Sequence, residues 1–121
     1  LLADQGVGSI PWSPLAKGRL ARPWGTQTHR ADTDPIGRRL FHDSDKPIAD
    51  AVQQVAEAHG APMAQIALAW VLKNPVVTAP IVGATKSHHL PDAIAALDIR
   101  LTDDEIRTLE EPYTLRQPTG F

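Results

Sequence analysis

The chain has 121 residues, 42% of them hydrophobic and 21% charged, which is the size and make-up of one globular domain able to bury a core. A net charge of -2 and a pI near 6.2 argue against nucleic acid or an anionic membrane as the main partner, and no apolar run approaches the roughly 18 residues of a membrane helix. With no cysteine, disulfides and thiol chemistry are excluded.

Leu1-Leu2-Ala3-Asp4-Gln5-Gly6 reads as the end of a helix stopped by Gly6, with neither a Met nor a signal-peptide pattern; this predicts a fragment of a longer, cytoplasmic protein. In residues 7–12, β-branched and small side chains alternate up to Pro11 and Trp12, which predicts a short strand, and Ser13-Pro14 opens the loop after it. Residues 16–45 have no period and carry breaks at Gly25, Pro35 and Gly37, so they predict a long irregular loop. Between residues 16 and 41, six cations (Lys17, Arg19, Arg22, Arg30, Arg38, Arg39) face two anions (Asp32, Asp34), a local balance of +4. An anionic ligand would be drawn to it; a solvated loop whose arginines pair with acids elsewhere has the same composition.

Ser44 or Asp45 as cap and Pro47 in the first turn open a helix with Ile48, Ala51, Val52, Val55 and Ala56 on one face, stopped by Gly60. A second helix from Pro62 carries Met63, Ile66, Ala67, Trp70 and Val71 on one stripe and ends at Asn74-Pro75, with Trp70 expected in the core. Residues 76–82 read as a strand covered on both faces. Gly83 then leads through Ala84-Thr85-Lys86-Ser87-His88-His89 into a helix with Leu90, Ile94 and Leu97 inward. Backbone N–H groups at a helix start beside Lys86 and two histidines suit a phosphate, although a plain turn glycine and a solvated lysine would look the same. The last helix has a capping box in Thr102 and Glu105, a staple pair in Leu101 and Ile106, and a stop at Pro112; residues 113–121 read as a surface tail.

Strand, loop, helices, strand and helices in that order predict an α/β arrangement with parallel strands. Two strands alone make no stable sheet. A (β/α)8 barrel of ~250 residues, with its sites at the C-terminal strand ends and phosphate held after the last two strands, fits the pattern. A doubly wound sheet fits the same order, but no G-x-G-x-x-G follows either strand.

Four stretches carry a resemblance: Ile10-Pro11-Trp12-Ser13-Pro14-Leu15-Ala16-Lys17-Gly18-Arg19-Leu20, Gln65-Ile66-Ala67-Leu68-Ala69-Trp70-Val71-Leu72, Pro80-Ile81-Val82-Gly83-Ala84-Thr85-Lys86 and Leu101-Thr102-Asp103-Asp104-Glu105. In order and spacing the chain resembles the C-terminal part of an aldo-keto reductase. The resemblance implies a (β/α)8 TIM barrel binding NADPH, of which residues 1–121 supply strands seven and eight with their helices as the NADP-binding portion of one domain. By position, Trp12 resembles the aromatic residue that stacks on the nicotinamide. Ser13, Pro14, Leu15 and Lys17 resemble the loop over the pyrophosphate, with Arg19 assisting. Gly83, Ala84, Thr85 and Lys86 resemble the segment at the adenosine 2′-phosphate. His89 stands where many members have Arg or Gln, and Asp92 where they have Glu; Ala93 replaces the usual Asn.

The catalytic Asp, Tyr, Lys and His of the family belong to the first half of the barrel, and no catalytic residue is assigned in this chain. Tyr113 matches none of them, and the histidines show no zinc-type spacing. The expected function is reduction of a small aldehyde or ketone to an alcohol with NADPH. The alternative is a non-catalytic nucleotide-binding partner or scaffold subunit of the same fold. A self-standing partial barrel would have to dimerise to cover its edges.

Overall fold

The computed structural model describes residues 1–26 and 41–115. Arg30, Asp32, Asp34, Pro35, Gly37, Arg38 and Arg39 of the basic loop, and residues 116–121 of the tail, lie outside the described residues. Among those described, the regular structure is helical: α1 (Lys46–His59), α2 (Met63–Leu72), α3 (His89–Ala95) and α4 (Asp103–Glu110), with short 3-10 turns at Ala16–Gly18, Asp43–Asp45 and Ala96–Asp98.

Local chemistry sets the ends of these helices. At residues 1–7 the Val7 N–H donates to Leu2 O at 2.9 Å and the Gly6 N–H to Ala3 O at 3.3 Å, with Gly6 at φ 64; a single turn closes as a helix C-terminus does. The same pair of bonds recurs after α1, from Ala61 to Ala56 O and from Gly60 to Glu57 O, with Gly60 left-handed. Asp45 faces backwards: its carboxylate accepts from the His42 N–H at 3.1 Å and makes no cap bond to α1, which Pro47 opens. Before α4, Thr102 Oγ1 accepts from the Glu105 N–H at 3.3 Å while Glu105 Oε2 accepts from the Thr102 N–H at 2.8 Å, the expected capping box.

The apolar faces of α1, α2 and α4 meet in one core of Val52, Val55, Ala56, Met63, Ile66, Ala67 and Leu109, closed by Leu15, Leu20, Ala61, Ile99 and Leu101. Ile66 is wholly buried at its centre, which stabilises the fold by about 1.5–3 kcal/mol relative to exposure. Two expectations fail here. Leu90, Ile94 and Leu97 are 57%, 56% and 56% exposed, because no described element covers the apolar face of α3. Trp70 is 41% exposed at the end of α2, where its Nε1–H donates to Glu110 Oε1 at 2.9 Å instead of entering the core.

The expected strands are also reduced. Among the described residues, segments 7–12 and 76–82 meet only in two isolated parallel bridges, Ser9 with Val77 and Trp12 with Ile81. From one bridge to the next the first segment advances three residues and the second four, so the register steps by one. Pro11 and Pro80 sit in this interval and have no N–H to donate, so no continuous ladder forms. The predicted α/β sheet piece is thus present as a stepped parallel pairing beside a helical body, and the barrel does not appear within these residues. The segments approach closely at Gly8, where a Cβ would overlap Thr78 Oγ1 and lie 3.3 Å from Thr78 Cβ.

Candidate functional site

Three backbone bonds hold the two segments side by side: Ser9 N–H to Val76 O at 2.6 Å, Thr78 N–H to Ser9 O at 2.8 Å and Ile81 N–H to Pro11 O at 2.9 Å. Because the pairing is parallel, the chain leaves both segments at the same end. Trp12 and the loop behind it therefore emerge beside Ile81 and the residues that follow it, which brings the two groups of sequence-predicted residues to one edge. Trp12 is 71% exposed there, its ring presented as an apolar plate.

Behind Trp12 the chain folds into a tight turn whose first left-handed positions carry no glycine. Ser13, Ala16 and Lys17 have φ of 56°, 47° and 56°, left-handed values that cost a side-chain-bearing residue about 1–2 kcal/mol each. Ser13 holds the turn twice, its carbonyl accepting from the Ala16 N–H at 3.0 Å and its Oγ from the Lys17 N–H at 3.3 Å. Leu15 O accepts from the N–H groups of Gly18 and Leu20, and the side chains of Leu15 and Leu20 reach the helical core. Pro14 is half-buried. Arg19 points elsewhere than expected, with its guanidinium 5.4 Å from the Trp24 ring centre and 4.9 Å from that of Phe41. Sequence reasoning missed both rings, since neither lies at a helical or strand spacing from Arg19.

At the second group, a Cβ built on Gly83 meets nothing within 4 Å, so the space before it is open to a ligand. Ala84, Thr85 and Lys86 are exposed. The Thr85 N–H donates to Nδ1 of His89 at 3.2 Å, which fixes that nitrogen as an acceptor and places the neutral ring's proton on Nε2. His88 meets His89 edge to face at 4.7 Å. Helix α3 begins only at His89 and has seven residues, so its amides do not follow directly on the strand end as predicted and its dipole is short. Asp92, half-buried in its first turn, donates its own N–H to His88 O at 3.0 Å.

A cavity of about 580 Å³ lies in the helical layer, lined among others by Leu20, Val52, Ala67, Trp70, Leu109 and Tyr113. Tyr113 therefore stands against the helices. At the rim, Glu110 Oε1 accepts from Lys73 Nζ at 2.7 Å and from Trp70 Nε1; these bonds, Lys73's foremost, hold its carboxyl below the usual carboxylate range. Glu105 is held low by the Thr102 N–H first, with the Thr102 hydroxyl and His59, 2.7 Å away, adding to it against the opposing effect of burial. Among the described residues no His, Cys, Asp or Glu cluster could hold a metal ion, and no helix is long and apolar enough to cross a membrane.

Residues 1–113 match the model of the Aldo/keto reductase family. The chain is 44% identical over 115 residues to a versiconal hemiacetal acetate reductase of Aspergillus parasiticus, covering 91% of this chain and 33% of that protein. It is 40% identical over 111 residues to a putative aryl-alcohol dehydrogenase of Saccharomyces cerevisiae, covering 88% and 32% respectively. An aldo-keto reductase of Alternaria alternata is 37% identical over 117 residues, covering 95% of this chain and 31% of the relative. The chain thus spans about a third of the length of the curated relatives it matches.

Proposed function

The chain belongs to the aldo/keto reductase family, and from that premise we propose that it forms the nucleotide-binding portion of an NADPH-dependent reductase acting on a small aldehyde or ketone. The observation that carries the proposal is the parallel bridge between Trp12 and Ile81, which sets an exposed aromatic plate and two loops at one edge. In this reading residues 1–121 complete the last two β/α units of a barrel. The rest of that barrel would cover the apolar side chains of α3 and of the paired segments.

The residues present fit a nicotinamide dinucleotide. Trp12 offers a flat face that fixes which side of a planar ring is open. Ser13, Pro14, Leu15 and Lys17 form a rigid turn beside the path of a pyrophosphate. Gly83 leaves room for the ligand's far end, with Lys86 supplying a positive charge and Ala84 and Thr85 lining the approach. His89, whose Nδ1 accepts from the Thr85 N–H, and Asp92 stand where adenosine contacts are expected. When bound, such a cofactor supplies the hydride that reduces the carbonyl carbon. The general acid comes from outside these residues, since the one tyrosine, Tyr113, faces the helical cavity. The name of the aryl-alcohol dehydrogenase relative points to an aryl carbonyl compound as the substrate class.

The test is equilibrium titration with NADPH, following tryptophan emission, for the wild type and for Trp12→Leu and Lys86→Glu. Binding that weakens at least tenfold in Lys86→Glu, and loses most of its emission change in Trp12→Leu, is expected. A wild type that binds NADPH no better than the two variants refutes the assignment. Carbonyl-dependent NADPH oxidation then separates a reductase from a nucleotide-binding scaffold.

A further inference from the structure

We propose that Arg19 is a positioning residue that locks the 13–20 turn in its left-handed form, and that it does so by clamping between Trp24 and Phe41 instead of binding an anion. Ala16 and Lys17 are consecutive left-handed residues without the freedom of glycine, so the turn relaxes unless its surroundings hold it. On one side Leu15 and Leu20 are fixed in the helical core. On the other side Arg19 reaches out of the turn through its charge, its guanidinium standing 4.9 Å from the Phe41 ring centre and 5.4 Å from that of Trp24.

All three side chains are half-buried, and both distances lie within the roughly 6 Å at which a cation is held by a ring face. Arg suits this place because its guanidinium is planar and weakly hydrated, so it stacks where a Lys ammonium would keep its water. Trp24 and Phe41 lie far apart in sequence, and the clamp therefore fastens the turn to two separate stretches of backbone. Gly18 continues the left-handed run at φ 93°, a conformation that a glycine adopts without strain. The two contacts together should favour the closed turn by about five- to thirty-fold. The link to nucleotide affinity rests on the proposed role of this turn at the pyrophosphate.

The experiment is amide hydrogen exchange on the full chain without nucleotide, paired with NADPH titration, for the wild type, Arg19→Met, Arg19→Lys and Phe41→Leu. The Lys17 and Gly18 amides, which donate to Ser13 Oγ and Leu15 O, report the turn. In Arg19→Met and Phe41→Leu their exchange should rise by about five- to thirty-fold while the Ile66 amide stays protected, with Arg19→Lys between. NADPH affinity should fall by a similar factor. Unchanged exchange in Arg19→Met overturns the proposal, and so does a loss of affinity without faster exchange, the pattern of a direct anion ligand. A wild type that binds no NADPH would refute the nucleotide reading alone, because the exchange data still decide the clamp.

Discussion

Replacing Gly8 by Ala tests the stepped pairing of segments 7–12 and 76–82 at its closest point. The new Cβ would overlap Thr78 Oγ1 and stand 3.3 Å from Thr78 Cβ. Gly8 lies outside the left-handed region, so Ala meets no backbone penalty there and the cost is steric. Thr78 is β-branched and has few alternatives, and overpacking of this kind costs about 1–3 kcal/mol. Against it, Ala restricts the unfolded chain and returns about 0.4–1 kcal/mol. Gly8→Ala alone should therefore destabilise by about 1–2 kcal/mol. Thr78→Ala removes the offending oxygen from an exposed side chain at little cost, and in that background Gly8→Ala should become neutral or slightly stabilising. The coupling across the pair should reach about 1 kcal/mol or more. Urea unfolding of the four proteins, followed by tryptophan emission, measures it. An equal cost of Gly8→Ala in both backgrounds would refute the packing, and with it the register of the pair.

Further outcomes follow from the helical body. Ile66→Ala should cost about 2–5 kcal/mol in the same assay, since the site is wholly buried among α1, α2 and α4 and cannot collapse freely. Thr102→Ala should cost about 0.5–2 kcal/mol through loss of the oxygen that accepts from the Glu105 N–H. Because Glu105 has a lowered pKa in the folded state, its contribution is complete above the unfolded value and is lost as the pH falls through the folded one. The urea midpoint of the wild type should accordingly drop in acid, and Glu105→Gln should flatten that limb. Lys73→Met should raise the Glu110 carboxyl in a carbon-13 titration, as Lys73 makes the leading contribution to holding it low.

Features decided within a few residues were legible in the sequence. The capping box of Thr102 and Glu105, the stop at Gly60 and the end of α2 before Pro75 depend on bonds between near neighbours, and each residue type announces its bond. The inward face of α3 was not, because the spacing of Leu90, Ile94 and Leu97 identifies an apolar face but says nothing about what covers it. Trp70 was misplaced for a related reason: the stripe contains it, yet the indole N–H finds Glu110 at the rim of the helical layer. Ser13-Pro14 announced a loop but not its shape, since Ser13, Ala16 and Lys17 carry no mark of left-handed backbone and their conformation is held by the contacts that Leu15, Leu20 and Arg19 make beyond the turn. The role expected of Trp12 came from likeness to a family, that of the stretch after Gly83 also from its strand–turn–helix pattern and charges, and the parallel bridge between Trp12 and Ile81 supplies the physical reason why the two segments run side by side.

Pro11 and Pro80, which interrupt the ladder, also act on what approaches from outside. Ile10, Trp12 and Ile81 are exposed on a pairing that has no third segment among the described residues, a surface of the kind on which stray strands accumulate. A proline in each segment fixes φ at about −65° and, together with the step in register, keeps either segment from running on as the long flat strand that an incoming chain would need as a template. The residues that break the sheet are thus also gatekeepers, and they lower the tendency of this apolar edge to seed aggregates while it stands uncovered.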